Sequence, residues 1–390
     1  MIALLSAALA AAQLPAAAPP APPPATRPPP APHAGPTPPF APPPVIGVQP
    51  ARSPQLLLAW MPGEVRCDGT AVAAAIMRRP LTTLMWQVPE GIRTVTYRFR
   101  IDATGRPLSI ARDGAGYAAQ AEDIAPSLAA SRFPAADRRD CAITYTARTT
   151  PLAAAPVADL MSYAVTPLTG PLPRAGWNRI MPAGADCRTI PAPRILLRAY
   201  PDFDRLPATP GVRGWSMVGH DLDARGRPVR VRTLEGTRNP ALDAAAVRAV
   251  RASRFTPGAR TGCLYPYWQN PATIAPPPLP DRIGTADTAN HCPAGEWVYR
   301  PTPVYPRAWH ARGVEGWAVV AFDVAPWGEI GNVRAIASEP AAEFGQEALR
   351  LLRGARKATS TTGHVGCIER VRFAMPARTA AAPDPPVADD

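Results

Sequence analysis

The chain has 390 residues, 54 of them proline, with 42 basic and 30 acidic side chains and a formal net charge of +12. No stretch reaches the ~20 apolar residues of a spanning helix, which excludes a polytopic membrane protein; the composition also excludes a coiled coil, a collagen and a fully disordered chain. Lys357 is the only lysine, and without a basic run, a basic helix or zinc-finger spacing the charge reads as an Arg-rich solvated surface, with no nucleic-acid partner.

Residues 1–13, Met-Ile-Ala-Leu-Leu-Ser-Ala-Ala-Leu-Ala-Ala-Ala-Gln, have the short apolar run of a signal peptide or short anchor. Export to the periplasm, or retention at the inner membrane, is the expected consequence. Residues 14–58 are a Pro/Ala-rich linker, with 18 prolines between Pro15 and Pro54. Such a segment cannot bury a core and samples polyproline II. At ~3.1 Å per residue it reaches on the order of 120 Å. Residues 379–390 read as a disordered tail.

Between these ends the sequence repeats itself. Asp102-Ala-Thr-Gly105-Arg-Pro107 recurs as Asp223-Ala-Arg-Gly226-Arg-Pro228, and Ser131-Arg132-Phe133 as Ser253-Arg254-Phe255. Gly211-Val-Arg-Gly214-Trp215 recurs as Gly313-Val-Glu-Gly316-Trp317. A period of this size means three tandem copies of one domain, placed at 59–150, 175–272 and 286–378 with Pro-rich joints at 151–173 and 276–280. Six cysteines allow 15 pairings, but Cys67 and Cys141, Cys187 and Cys263, and Cys292 and Cys367 fall in successive pairs at nearly constant spacing. An even count at that spacing in an exported chain predicts disulfides. Pairing within each copy would close a loop worth about 4.5 kcal/mol by chain entropy.

Each copy carries the same local pattern. Val95–Ile101 alternates apolar and polar residues, as a strand with one buried face does. An Asp-x-x-Gly turn reverses the chain, and second strands follow at Pro107–Ala111 and Val229–Leu234. In the second copy Asn239 is the N-cap and Pro240 the first residue of a helix whose apolar face is Leu242, Ala246, Val247 and Val250. A final strand then runs through the second cysteine. The fold class is α+β: three small domains, each a β-hairpin, a helix and a further strand forming an antiparallel sheet, with the helix packed on one face.

The order Tyr-Pro, Gly-x-x-Gly, alternating strand, Asp-x-x-Gly-Arg, Leu-Asp-x-Ala-Ala and Arg-Phe-x-Pro resembles the C-terminal domain of TonB. The second copy holds the whole series, from Tyr200-Pro201 through Leu242-Asp243 to Arg254-Phe255-Thr-Pro257. The third keeps Tyr305-Pro306, Gly313-Val-Glu-Gly316 and Gly328, but has Ala325 for the turn Asp and Lys357 for the Phe. The first keeps Gly91, Asp102, Gly105 and Arg132-Phe133 without the Tyr-Pro. The resemblance implies a Gram-negative envelope protein that binds outer-membrane TonB-dependent receptors or other envelope proteins, with an ExbB–ExbD-type motor behind it. It implies binding by addition of the partner's extended segment to an exposed sheet edge. The alternative is a soluble periplasmic scaffold, peptidoglycan-binding or self-assembling as a homodimer, without energy transduction.

By the same resemblance the peptide-binding candidates are Tyr200, Pro201, Tyr305 and Pro306 near the entrance of a domain, and Ile368, Arg370, Val371, Arg372 and Phe373 along the last strand. Trp215 and Trp317 read as core. The five histidines show no metal-ligand spacing. No nucleophile elbow or Walker loop occurs, and the Gly114-Ala-Gly116 run lacks a dinucleotide-binding context. The expectation is no catalytic residue, metal or cofactor.

Overall fold

The computed structural model describes residues 55–86, 94–114, 120–280, 292 and 296–376. The expected signal segment, most of the Pro/Ala-rich linker, the Gly91 and Gly116 positions and the tail lie outside them. In chain order the first part comprises β1 (Leu56–Cys67), β2 (Thr70–Ala71), β3 (Thr83–Met85), β4 (Thr94–Ile101), β5 (Pro107–Arg112), α1 (Ile124–Ala129) and β6 (Arg138–Pro151). Next come α2 (Val157–Val165), α3 (Arg174–Ile180), β7 (Ile195–Leu197), β8 (Gly214–Leu222), β9 (Pro228–Gly236), α4 (Pro240–Ala252), β10 (Arg254–Phe255) and β11 (Arg260–Gln269). The last part holds β12 (Trp297–Tyr299), α5 (Arg307–Ala311), β13 (Gly316–Val324), β14 (Ile330–Glu339), α6 (Ala342–Arg353), β15 (Arg356–Lys357) and β16 (His364–Phe373).

Three antiparallel sheets share one order, with the first hairpin strand between the second and the closing strand: β5-β4-β6, β9-β8-β11 and β14-β13-β16. The Asp-x-x-Gly turns close as the sequence predicts. Asp102 Oδ1 accepts from the amides of Thr104 and Arg106, and Asp223 Oδ1 from those of Arg225 and Arg227. Gly105, Gly226 and Gly328 have φ of +80°, +74° and +88°, and a Cβ on them would lie within 2.2 Å of the carbonyl oxygen of Phe133, Phe255 or Lys357. Only glycine fits there. In the third turn Ala325 keeps the backbone bonds, to Glu329 and from Gly328, without the side-chain ones.

Lys357 stands where the other sheets have a phenylalanine. Phe133 packs 5.8 Å from Phe99 and Phe255 5.6 Å from His220. In the third sheet the equivalent of Phe99 is Phe322, and its ring partner is Trp297 at 6.1 Å, with the Lys357 ammonium 4.4 Å above that indole. Tryptophan supplies the missing ring, and the lysine joins it as a cation over its face.

The helix in the second unit forms as its cap predicts, with Leu242 N donating to Asn239 Oδ1. Leu242, Ala246 and Val250 are buried, Trp215 and Trp317 are core, and the disulfides are Cys67–Cys141, Cys187–Cys263 and Cys292–Cys367.

Two features depart from the sequence reading. The first strand starts at Leu56, inside the expected linker, because Leu57 and Leu58 bury against Leu84 and Thr83 of β3 as well as against β6. Residues 151–173 are not a plain Pro-rich joint: they carry α2, whose Leu160, Met161, Tyr163 and Val165 are buried with Leu57, Trp215 and Met217.

The sheets do not stand apart. One apolar core joins Val95, Tyr97, Phe99, Ile124 and Leu128 of the first to Val320, Phe322, Phe344 and Leu352 of the third. Arg312, at the end of α5, is buried against equally buried Asp123, with Nε 2.6 Å from Oδ1 and Nη2 on Oδ2. Its remaining donors reach the carbonyls of Gly211 (3.1 Å) in the second unit and Arg79 (2.9 Å) in the first. One guanidinium thus ties all three units together.

Candidate functional site

The three closing strands, β6, β11 and β16, enter their sheets in the same way. The residue before the bridging cysteine is left-handed in each, Asp140 (φ 47°), Gly262 (φ 68°) and Gly366 (φ 68°). In the second and third sheets that glycine donates its N–H to the carboxylate of Asp221 or Asp323 on the neighbouring strand. These bonds, together with the Arg230 guanidinium and the Asn332 amide, hold both carboxyls below the usual range against the cost of burial.

Backbone direction alternates along an antiparallel pair. Trp215 exchanges hydrogen bonds with Thr237 beside β9, so Trp215 and Met217 turn their backbone groups away from β11. Their cross-strand partners, Trp268 and Pro266, therefore turn theirs outward. The corresponding pairs in the third sheet are Trp317–Arg372, Val319–Arg370 and Ala321–Ile368. Ile368, Arg370 and Arg372 thus present N–H and C=O groups to the outer edge. In the first sheet the matching positions are Ala142, Thr144 and Thr146, and Thr144 Oγ1 lies 2.8 Å from Thr96 Oγ1 across such a non-bonded pair.

The outer edges then differ. In the first sheet β1 lies antiparallel along β6 from Leu56 opposite Pro151 to Cys67 opposite Cys141, with a bulge between Pro62 and Val65. Trp60, Val65 and Leu58 of β1 are buried in the shared core, and Trp60 Nε1 donates to the Gln120 carbonyl at 2.9 Å. In the second sheet Asp186, beside Cys187, meets the start of β11, bonding Thr261 through main chain and side chain, and the Gly184 carbonyl accepts from the Thr261 hydroxyl. In the third no strand pairs with the outer side of β16 among the described residues.

Among the predicted contact residues, the structure sorts side chains by face. Val371 and Phe373 point into the core, 2% and 3% exposed. Ile368, Arg370 and Arg372 share the opposite face with Arg334, which sits across from Ala321. Glu369 is paired with Arg300. Tyr305 packs between Phe344 and Phe373, its hydroxyl donating to the Val314 carbonyl at 2.6 Å, and burial pushes its pKa up. Pro306 caps α5. In the second unit Tyr200 is exposed, its ring 6.3 Å from Tyr267, while Pro201 is buried. The two Tyr-Pro segments are therefore not brought to one site: Tyr305 is packing, and Tyr200 is surface.

Beside β11 a shallow recess is lined by Arg198, His220, Phe255, Tyr265 and Tyr267. His220 is 4% exposed and neither ring nitrogen makes a well-formed hydrogen bond. Burial pushes its pKa down to about 4, against weaker pulls from Asp221 and the Val218 backbone. Among the described residues no group of three or more His, Cys, Asp or Glu could hold a metal ion, and no helix is long and apolar enough to cross a membrane.

Sequence reading alone missed β1 as a strand on the β6 edge. Its one visible signal was the apolar Leu56–Met61 run at the end of the proline-rich stretch. No curated protein matches the chain. Residues 301–374, from just after β12 to the end of β16, match the family described as Gram-negative bacterial TonB protein C-terminal. The unit built of α5, β13, β14, α6, β15 and β16 is accordingly a TonB C-terminal domain.

Proposed function

We propose that the protein is a TonB-like envelope protein that takes an extended segment of a partner as an added strand on the outer edge of a closing strand. One observation carries the reading: β1 already occupies that edge in the first sheet, from Pro151 to Cys141. The molecule contains its own example of strand addition, in which backbone hydrogen bonds supply affinity and alternate side chains supply selectivity. Residues 59–150 and 175–272 are read as divergent copies of the 301–374 domain, because sheet order, turn glycine and pre-cysteine backbone recur in all three. The partner class is an outer-membrane TonB-dependent receptor or another envelope protein with an extended segment, and the role is binding without catalysis.

Titration of the oxidised full chain with synthetic peptides copying the extended periplasmic segments of outer-membrane receptors tests this. Binding should perturb closing-strand amides in NMR spectra; no perturbation at millimolar peptide would sink the reading. Coupling to an ExbB–ExbD-type motor is a separate claim, decided by the N-terminus of the protein from its native envelope. A chain starting after Ala12 and released with the soluble periplasm leaves a binding or scaffold role. An intact Met1 held in the inner membrane supports transduction. Pairing of two copies edge to edge would appear as a concentration-dependent mass in sedimentation.

A further inference from the structure

We propose that the β7–β10 ribbon of the second unit is a membrane-contact site, which places apolar side chains beneath the headgroups of an anionic lipid bilayer while arginines beside it hold those headgroups. The proposal is independent of strand addition, since it uses a different element and a different kind of partner.

The ribbon lies where the chain enters the second unit. Leu197 stands opposite Arg254 and Ile195 opposite Phe255, and beyond them the Thr256 N–H donates to the Arg194 carbonyl at 2.8 Å. Successive residues of a strand point to opposite sides, so a strand lying on a core buries at least one of them. In β7 all three residues are exposed, Leu196 at 65% and Leu197 at 56%. Ile190, shortly upstream, is 91% exposed, and exposed Tyr200 follows. Large apolar side chains grouped in this way mark a contact surface.

The charges around the group select the partner. Residues 175–272 hold 15 arginines and seven acidic residues. Arg194, Arg251 and Arg254 are exposed on the ribbon or at the helix end that leads into it. Arg254 Nη1 bonds the carbonyls of Arg251 (2.9 Å) and Ser253 (2.7 Å), and the Arg198 guanidinium lies 5.0 Å over the Tyr265 ring. Carbonyls and rings orient a guanidinium without neutralising it. The Asp223 turn, tied to the chain after β10 by the Gly258 N–H on the Ala224 carbonyl, adds one carboxylate and the exposed Arg225 and Arg227. The balance stays positive. An added peptide strand would use one edge of β7, whereas apolar side chains on both of its sides beside guanidiniums match an apolar layer under a phosphate layer. The corresponding β12–β15 ribbon of the third unit also exposes Val298 and Tyr299, but its Arg300 is paired with Glu369.

The test uses the oxidised full chain with a photo-crosslinking amino acid installed singly at Leu196, Val298 or Thr146. The probes are phosphatidylcholine vesicles and the same vesicles with about a third phosphatidylglycerol. Lipid adducts at 196, several-fold more abundant with phosphatidylglycerol and several-fold above those at 298 and 146, are the expected result. The readout belongs to a position, so it holds whether or not the N-terminus is itself in the bilayer. Equal adducts at 146 would mean unspecific adherence, and equal adducts at 298 would overturn the assignment to the second unit. Equal yields from the two vesicles would overturn the anionic preference. No lipid adduct at 196 would overturn the proposal and leave strand addition untouched. A crosslink from 196 to soluble polyglutamate, in place of lipid, would assign the patch to an acidic protein segment; one to a second copy would make it a self-association surface. Arg251→Gln with Arg254→Gln should lower the lipid adduct at 196 on the order of 10-fold. An unchanged yield in that variant, shown to be folded by its melting curve, would remove the arginines as the cause. Should it not fold, Arg194→Gln, whose contacts to Thr256 are made by main chain, is read in the same way, with a several-fold loss expected.

Discussion

At the scale of single residues, two buried charges or would-be charges govern the expected behaviour. His220 is held neutral in the second core, its pKa pushed down to about 4 from an ordinary value near 6.5. The unfolded chain takes up a proton as pH falls through 6.5, and the folded chain does so only near 4. Stability is therefore full above about pH 6.5 and declines on acidification, losing on the order of 3 kcal/mol by pH 4. The equivalent residues in the other sheets are Phe99 and Phe322, so His220→Phe should fold and should flatten that part of the pH–stability curve; urea midpoints between pH 4 and 7 check it. Arg312 behaves differently, because its partner Asp123 is buried with it. Removing one member of such a pair strands the other, at about 3–5 kcal/mol. Arg312→Ala and Asp123→Asn should each lower stability by that order in denaturant titrations, with a double variant well short of the sum.

Elements made by short-range chemistry were readable from the sequence; those made by long-range packing were not. The turns at Asp102 and Asp223 and the Asn239-Pro240 helix start are set by residues within four positions, and they form as expected. β1 is different: Leu56-Leu-Leu-Ala-Trp-Met has no period of two, because its two faces meet a core on one side and the α2 cluster on the other. A strand buried on both faces reads as a featureless apolar run. The same holds for α2, whose Leu160-Met161 pair sits among prolines. At the candidate site, family resemblance pointed to β16, but which of its backbone groups turn to the outer edge depends on a register that no local pattern records. The staple on β1 yields an element-scale prediction. Cys67→Ser with Cys141→Ser should cost up to about 4 kcal/mol, since a loop of this length is released in the unfolded chain. Amide protection at Ala142, Thr144 and Thr146 should fall in the same variant, because β1 then frays from its end.

For the whole molecule, the shared core and the Arg312 node imply that the three units unfold together. Calorimetry of the oxidised chain should give one transition, with calorimetric and van't Hoff enthalpies in agreement. Separate transitions would mean that the contacts joining the units are weaker than those within them. The bridge pattern has a consequence for biosynthesis. Cys67 joins Cys141, Cys187 joins Cys263 and Cys292 joins Cys367, so no loop encloses or crosses another. As the chain emerges N-terminus first, the first cysteine of each pair finds its proper mate in the next one to appear. An oxidase that simply links thiols in order of arrival makes the native set, and the slow reshuffling that overlapping bridges demand is not required.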